Sequence, residues 1–208
     1  MKSAPEHLLL VDTLSELLLL RGEVALWRSL FLRTQPAAIC FEREQLTLLC
    51  TDAPTRGWRQ SELALFAGRF DGWCEPGSGR RALLSFTQSV LALRAALLLQ
   101  KIGAETGVRI ALTSAACMVA WFEVDGGIHR LVLPPEDGRA EAALAGVAPG
   151  AVVIAPETHE AMEPLLAHEA AGALVATEYD AQDVPHVSIT LLPNASAAAS
   201  TFAGLGLC

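Results

Sequence analysis

Two adjacent arginines, Arg80 and Arg81, follow the turn sequence Pro-Gly-Ser-Gly and could bind a phosphate group. An arginine guanidinium donates charge-assisted hydrogen bonds to phosphate oxygens, often two at a time. Adjacent arginines are also common on solvated surfaces, where the aliphatic stems cover apolar groups and the charged heads stay in water. The pair is therefore a candidate anion site, with a solvated surface as the alternative.

Four other charged or titratable residues stand where strands or turns are predicted. Arg109 comes just before an apolar stretch, which suits a charge at the edge of a sheet. Asp52 lies in Thr-Asp-Ala-Pro-Thr, where the side-chain chemistry of an Asx turn accounts for it. His129 and Arg130 follow an Asp-Gly-Gly turn and are predicted to lie on the surface of a hairpin. No single one of them identifies a reaction.

Three familiar kinds of site have no support in this sequence. His159, His168 and His186 lack the mutual spacing of zinc ligands, and no cysteine joins them. The glycine-rich stretches lack the Gly-Lys-Ser/Thr sequence that completes a phosphate loop. Ser89 and Ser114 lack the Gly-x-Ser-x-Gly context of a serine hydrolase.

The composition is that of a globular protein that does not bind nucleic acid. Of the 208 residues, 52% are hydrophobic and 18% are charged, which provides enough apolar side chains for a core. The net charge is −8, whereas a protein that binds nucleic-acid phosphates normally carries a basic surplus. We therefore expect no nucleic-acid partner, and the charge does not exclude a local basic pocket for a small phosphate ligand.

Cysteine usage and hydropathy predict a soluble, cytoplasmic protein. The five cysteines include no Cys-x-x-Cys pair, and Cys40, Cys50 and Cys117 lie in apolar runs typical of buried thiols, which suits a reducing compartment. Asp12 and Glu16 interrupt the N-terminal leucine cluster, so we expect no signal peptide. The uncharged apolar stretches are too short to span a bilayer, so we also expect no membrane partner.

Hydrophobic periodicity predicts helices and strands in mixed order. We expect a long N-terminal helix with a break near Gly22, two short strands within residues 38–50 around a charged turn, and a hairpin around the Pro-Gly-Ser-Gly turn. The other predicted helices are residues 61–70, 87–102, 137–144 and 157–168, and the other predicted strands are residues 108–113, 117–124, 129–133, 151–155 and 187–192.

This order predicts an α+β fold, an α/β sandwich in which helices flank a mixed sheet. The sequence divides into an N-terminal helical extension in residues 1–36, a sheet domain in residues 37–193 and a flexible tail in residues 194–208. The tail is predicted to be loose because it consists mainly of small residues.

Several segments of the sheet domain resemble, in the same order, the motifs of one known domain family. RRALLSFTQSVLALRAALLLQ resembles the family's strand ending in Phe and the alanine-rich helix that follows it. GVRIALTSA resembles the family's Val-Arg-x-Gly-Ile-His-Thr-Gly strand, and APGAVVIAPETHEAM resembles its Ala-x-Pro-Gly pattern. VPHVSITLL matches the last strand, and LTLLCTDAP matches the first. Together these segments resemble the class III adenylate and guanylate cyclase homology domain. The resemblance implies a ferredoxin-like nucleotide cyclase fold with an N-terminal extension.

The resemblance also implies where a metal would bind. In this family two aspartates hold two divalent ions, Mg²⁺ or Mn²⁺, which activate the ribose hydroxyl and neutralise the triphosphate. Asp52 matches the first aspartate. The second should lie in the turn before RALLSF, where Ser78 or Arg80 stands instead, and neither side chain supplies a carboxylate. Asp52 is thus the metal-ligand candidate.

The family's remaining groups are mostly replaced. An asparagine and an arginine, one helical turn apart, normally steady the ribose and the transition-state charge. An ungapped comparison puts Gly138 and Ala142 there, and a shift of one residue puts Arg139 and Ala143, so the arginine is an alanine either way. His129 stands near the family's base-reading aspartate. The resemblance therefore predicts no catalytic residue, and the ligand-binding candidates are Arg80, Arg81, His129 and Arg139.

A cyclase-like domain without most of the cyclase site predicts a degenerate, non-catalytic module that dimerises or senses a ligand in signalling. We expect no cofactor and a possible nucleotide ligand. Because the family builds its site between two subunits, we expect a homodimer, or a heterodimer with a cyclase-like chain. The candidate interface residues are Leu17, Leu18, Trp27 and Phe31.

Two alternatives remain at this point. The first is an adenylate or guanylate cyclase that is active, or half-active with a partner subunit, and that uses Mg²⁺ or Mn²⁺. The second is an unrelated α/β protein with a structural or interaction role.

Overall fold

The computed structural model describes residues 4–20, 22–33, 39–52, 59–75, 81–133, 139–171, 173–179 and 185–191. The helices are α1 (Ala4–Leu20), α2 (Val24–Arg28), α3 (Gln60–Gly68), α4 (Ser89–Ile102), α5 (Arg139–Ala145) and α6 (Pro156–Glu169). The strands are β1 (Cys40–Thr51), β2 (Gly72–Glu75), β3 (Ala82–Phe86), β4 (Ile110–Val124), β5 (Gly127–Leu133), β6 (Ala151–Ile154), β7 (Ala173–Tyr179) and β8 (Pro185–Leu191). The predicted tail, residues 194–208, lies outside the described residues.

The eight strands form one mixed sheet in the order β2-β3-β1-β4-β6-β8-β7, and β5 pairs with β4. One edge of β4 pairs with β1 in antiparallel register along the whole length of β1. On its other edge, β4 pairs in parallel with β6 near its start and in antiparallel register with β5 near its end. A mixed sheet with flanking helices confirms the predicted α+β fold.

Helices α3, α4 and α6 pack against one face of the sheet, which we call the helical face. The largest buried cluster joins them to strand residues such as Leu84, Phe86, Leu112 and Ile154. In α4 the buried residues recur at helical spacing, as expected for a helix with one face against a sheet. This packing fixes the ends of the central strands.

The opposite face of the sheet, which we call the inner face, is buried in two parts. Helix α5 covers the part that includes Cys50 and Ala111. The other part is an apolar cluster made of Leu46, Leu48, Cys117, Val119 and Val132. Strand alternation places both parts on the same side, because side chains two residues apart share a face.

The turn from α4 into β4 depends on two glycines. A Cβ atom on Gly103 would lie 2.4 Å from Cγ1 of Val108, so a larger residue would push this strand entry away. Gly107 has φ of +65°, a left-handed conformation that residues with a side chain rarely adopt. Together they let the chain reverse within a few residues and place Arg109 at the start of β4.

An ion pair joins α4 to α6 on the helical face. Nε of Arg94 donates to Oε2 of Glu169 at 2.9 Å, and Nη2 donates to Oε1 at 2.6 Å. The hydrogen bonds from Arg94 hold the pKa of Glu169 below its usual value. This pair lies away from the inner face and serves below as a matched control.

The N-terminal helices pack against the far half of the sheet and share a core with it. Gly22 has φ of +75° and separates α1 from α2, which agrees with the predicted break. Leu14, Leu18 and Leu30 are buried against residues of β4 and β5 such as Phe122 and Leu131. Among the described residues, no helix is both long and apolar enough to cross a membrane.

This packing changes which N-terminal residues could form an interface. Leu18, predicted as an interface residue, is fully buried within its own chain. Leu17, Trp27 and Phe31 are half-buried and pack against the same cluster. The sequence shows a strongly apolar helix but not the face on which the sheet lies. The exposed apolar residues of this region are Leu8, Leu9, Leu19, Leu20, Val24 and Leu32.

Three strand predictions were wrong. The charged Phe-Glu-Arg-Glu sequence is not a turn but part of the continuous strand β1, because β1 extends beyond β3 and β4 pairs with its backbone along this whole stretch. Strand β4 likewise runs without interruption through Ser114 to Ala116, where two strands were predicted. Strand β7 was missed, although Ala-Leu-Val-Ala-Thr-Glu-Tyr is rich in strand-forming residues.

Candidate functional site

Asp52 and Arg109 form an ion pair at the end of β1. Thr51 lies opposite Ile110 in the β1–β4 register, so Asp52 and Arg109 are the next pair beyond the ladder. Oδ1 of Asp52 accepts the backbone N–H of Arg109 at 2.8 Å, and Oδ2 accepts Nε of Arg109 at 2.6 Å. The two side chains are about one-third exposed, at 29% and 34%. Both carboxylate oxygens of Asp52 are therefore already bound to a cationic residue.

Arg81 stands on the other side of Asp52. Ala82 lies opposite Thr51 in the β1–β3 register, so Arg81 occupies the position just beyond that pair, and it is exposed. Strands β3, β1 and β4 thus present Arg81, Asp52 and Arg109 at the same end. With two guanidinium groups and one carboxylate, this end favours an anion over a cation.

The other predicted ligand residues are not all brought to this place. Arg80 lies outside the described residues, and of Arg139 the structure describes only the backbone, as the first residue of α5. His129 lies on β5 opposite Phe122, and their rings stack at 5.6 Å. Phe122 is 13 positions along the chain from Arg109, about 40 Å of extended strand. After the turn that follows β4, strand β5 pairs with β4 only as far back as Met118. His129 therefore stays far from Asp52.

The described residues contain no group of three or more His, Cys, Asp or Glu side chains that could hold a metal ion. Asp52 is the one predicted metal ligand, and Mg²⁺ requires several oxygen ligands in near-octahedral geometry. Its described neighbours at the strand ends are arginines, whose side chains supply no such oxygen. The donor set described at this end of the sheet therefore does not fit a divalent ion.

A second polar cluster, which sequence reasoning missed, is centred on Glu75. The Glu75 side chain is 2% exposed. Its Oε1 accepts a 2.6 Å hydrogen bond from Oγ of Ser85 and a 3.0 Å bond from Nη1 of Arg130, and its Oε2 accepts the backbone N–H of Val132 at 3.1 Å. A buried carboxylate with three donors is well satisfied.

Arg130 is the cationic centre of this cluster. Its side chain is 3% exposed, and its guanidinium carbon lies 4.1 Å from the ring centre of Trp73 and 5.8 Å from that of Trp121. Nη2 also reaches Oε2 of Glu44 at 3.4 Å. We call Glu44, Trp73, Glu75, Ser85, Trp121 and Arg130 the Glu75–Arg130 cluster.

The prediction that Arg130 lies on a hairpin surface was therefore wrong. The alternation of β5 places Arg130 and Val132 on one face, and that face is the inner face. A sequence signal for the buried cluster was present in the short Trp-Cys-Glu stretch, where a carboxylate interrupts apolar residues.

The Cys74 thiol lies beside Glu75. Burial, assisted by the Glu75 carboxylate, raises the pKa of this thiol to about 11, so it stays protonated at neutral pH.

The fold is that of class III nucleotide cyclase domains. The adenylyl cyclase CyaB from P. aeruginosa matches with a TM-score of 0.51 and 12% sequence identity over 74% of this chain and 98% of that chain. An adenylate/guanylate cyclase/hydrolase from Silicibacter pomeroyi matches with a TM-score of 0.51 and 14% identity over 74% of this chain and 99% of that one. The guanylate cyclase domain of RhGC from Catenaria anguillulae, solved with GTP, matches with a TM-score of 0.50 and 14% identity, over 71% and 97% of the two chains.

No protein-family model matches the sequence, and no curated protein matches it. At such low identity the likeness to solved structures establishes the fold alone. It confirms the expected cyclase fold.

Proposed function

We propose that this chain, which has the class III nucleotide cyclase fold, is a non-catalytic module that dimerises and senses a ligand in signalling. The observation that carries the proposal is the Asp52–Arg109 ion pair. A metal ion at Asp52 would have to approach a carboxylate that is already neutralised by a guanidinium, and the two positive charges would repel each other.

The sequence around this pair supports the same proposal. Two-metal phosphoryl chemistry needs carboxylates that hold both ions, and residues 76–80 before β3 contain none. Both positions that could carry the transition-state arginine, Ala142 and Ala143, have methyl side chains. The anion-binding roles of Arg80, Arg81, His129 and Arg139 stay predictions, and among the described residues Arg81 lies at the position beside Asp52.

We expect the purified chain to make no cyclic nucleotide from ATP or GTP, with Mg²⁺ or with Mn²⁺. The reason is that one neutralised carboxylate does not hold two metal ions. The measurement is chromatographic detection of cyclic AMP and cyclic GMP after long incubation at high protein concentration. Turnover by the homogeneous protein that disappears in Asp52→Ala would overturn the proposal and support the catalytic alternative.

We also expect the chain to dimerise through the outer side of α1. Leu8, Leu9, Leu19 and Leu20 are exposed there, on either side of Asp12 and Glu16, and large exposed apolar residues grouped in this way mark interaction surfaces. Leu9→Glu with Leu20→Glu should give a monomer in sedimentation equilibrium. Leu65→Glu changes an equally exposed leucine on α3 and should leave the dimer intact. A monomeric wild-type chain at micromolar concentration would contradict this expectation.

A further inference from the structure

The sheet curls so strongly that two of its non-adjacent strands meet. In the pairing order, β3, β1 and β4 separate β2 from β5. In a flat sheet four strand spacings amount to about 19 Å, far beyond the reach of one side chain. Yet Glu75 of β2 accepts hydrogen bonds from both the side chain of Arg130 and the backbone N–H of Val132 on β5. These contacts close the curl.

The Glu75–Arg130 cluster takes one or more side chains from each of the five strands that form this curl. Glu44 belongs to β1, Trp73 and Glu75 to β2, Ser85 to β3, Trp121 to β4 and Arg130 to β5. The guanidinium lies over the Trp73 ring, and Trp121 ties the cluster to β1 through a hydrogen bond from its Nε1 to Glu44 at 3.3 Å. The Arg130 guanidinium on β5 thus forms hydrogen bonds to one residue on each of three other strands. These residues are Glu75 on β2, Ser85 on β3 and Glu44 on β1.

The cluster lies on the same face as the apolar part of the inner face. Leu46, Leu48, Cys117, Val119 and Val132 are each at most 1% exposed. Val132 belongs both to this apolar group and, through its backbone N–H, to the contacts of Glu75. Separation of β2 from β5 would therefore remove the polar contact that adjoins the apolar group.

Two features make this closure the weak point of the curl. Strand β2 has four residues and is the end strand of the pairing order, so among the described strands its backbone pairs with β3 alone. Nε of Arg130 is buried without a hydrogen-bond partner, and Trp73, whose ring covers the guanidinium, is 38% exposed as a residue. A buried ion pair is strongly destabilised when either partner is removed. The closure therefore depends on both charges being in place.

We propose that Glu75 and Arg130 form a latch that holds β2 against β5 and keeps the apolar inner face closed to ligands. The proposal goes beyond the proposed function, because it identifies the inner face as a second ligand surface, apart from the anion-binding candidates, that a ligand would reach after the latch opens. Such a ligand has a flat or apolar body that packs against the apolar group of the inner face. It also has a cationic group that replaces the Arg130 guanidinium between Glu75 and Trp73.

The two buried thiols of the inner face report the latch separately from global unfolding. Cys117 belongs to the apolar group beside the latch, whereas Cys50 lies on the same face beneath α5. Both are 1% exposed, so brief treatment of the folded protein with iodoacetamide should label neither of them. Opening of the latch should expose Cys117 alone, and unfolding should expose both.

The variants are Glu75→Gln, which keeps the shape and removes the charge, and Arg130→Ala, which empties the guanidinium position. In each of them we expect Cys117 to be alkylated at least about tenfold faster than in the wild type, with Cys50 unchanged, as for a local opening. Arg94→Ala, which breaks the α4–α6 ion pair, should change neither rate. In Arg130→Ala, millimolar methylguanidinium should occupy the emptied position and restore the protection of Cys117.

Equal acceleration of Cys50 and Cys117 would show general unfolding and would overturn the latch. Unchanged Cys117 labelling in both variants would overturn it too, and so would labelling in Arg130→Ala that does not respond to methylguanidinium. Thiol labelling is measured without nucleotide or metal, so its outcome is independent of the turnover assay. Cyclic nucleotide formation would contradict the proposed function while leaving the latch unaffected.

Discussion

Arg109→Met should increase the affinity of the chain for Mn²⁺ by roughly tenfold or more. At a separation of about 5 Å and a dielectric constant of about 80, a guanidinium repels a divalent ion by roughly 1.7 kcal/mol, which is somewhat more than a tenfold change in the dissociation constant. The pair is partly exposed, so water-like screening is the appropriate limit. The measurement is titration of free Mn²⁺ by electron paramagnetic resonance.

Two control variants separate the effect of the pair from that of net charge. Arg81→Met removes a second arginine from the same end of the sheet, and Arg81 makes no described ion pair with Asp52. This substitution should change the Mn²⁺ affinity much less than Arg109→Met does. Asp52→Asn combined with Arg109→Met should return the Mn²⁺ affinity to the wild-type value, because the negatively charged carboxylate that binds the metal has been replaced by a neutral amide. Strong Mn²⁺ binding by the wild type would show that Arg109 does not block the carboxylate, and the main support of the proposed function would be lost.

Leu18→Ala should lower the free energy of unfolding by about 3 kcal/mol, within the range known for fully buried leucines. Leu18 is 0% exposed and packs with β4 and β5 residues, so its loss leaves a cavity between the N-terminal helices and the sheet. Since the two regions share one core, urea unfolding should remain a single transition that shifts as a whole. The measurement is urea unfolding followed by circular dichroism and by tryptophan fluorescence.

The matched control is Leu65→Ala on α3, away from the expected dimer surface. Leu65 is 74% exposed, so its truncation should change the free energy of unfolding by less than about 0.5 kcal/mol. An N-terminal extension that folds separately from the sheet would instead give two transitions, with Leu18→Ala affecting only the weaker one. A loss below about 1 kcal/mol for Leu18→Ala would likewise contradict the shared core.

The sequence placed all three strand-end residues of the candidate site next to predicted strands. Asp52 follows an apolar run and Arg81 precedes one, and both patterns mark strand ends regardless of tertiary structure. The role of Arg109 needed the fold, because the charge that binds it lies 57 positions earlier in the chain. The register explains why Arg109 stands just before an apolar strand. Ile110 pairs with Thr51, so Arg109, which precedes Ile110, faces the residue that follows Thr51, namely Asp52.

The sequence by itself determined the fold class, the order of most elements, the break at Gly22 and the missing carboxylates. These features depend on local periodicity, on backbone conformations that favour glycine and on residue identity, all of which can be read without knowing which strands pair. Tertiary structure alone decided that Leu18 is buried, that His129 is remote from Asp52 and that Arg130 binds Glu75 inside the curl. Each of these depends on the register and curvature of the sheet, which arise from contacts between residues far apart in the chain.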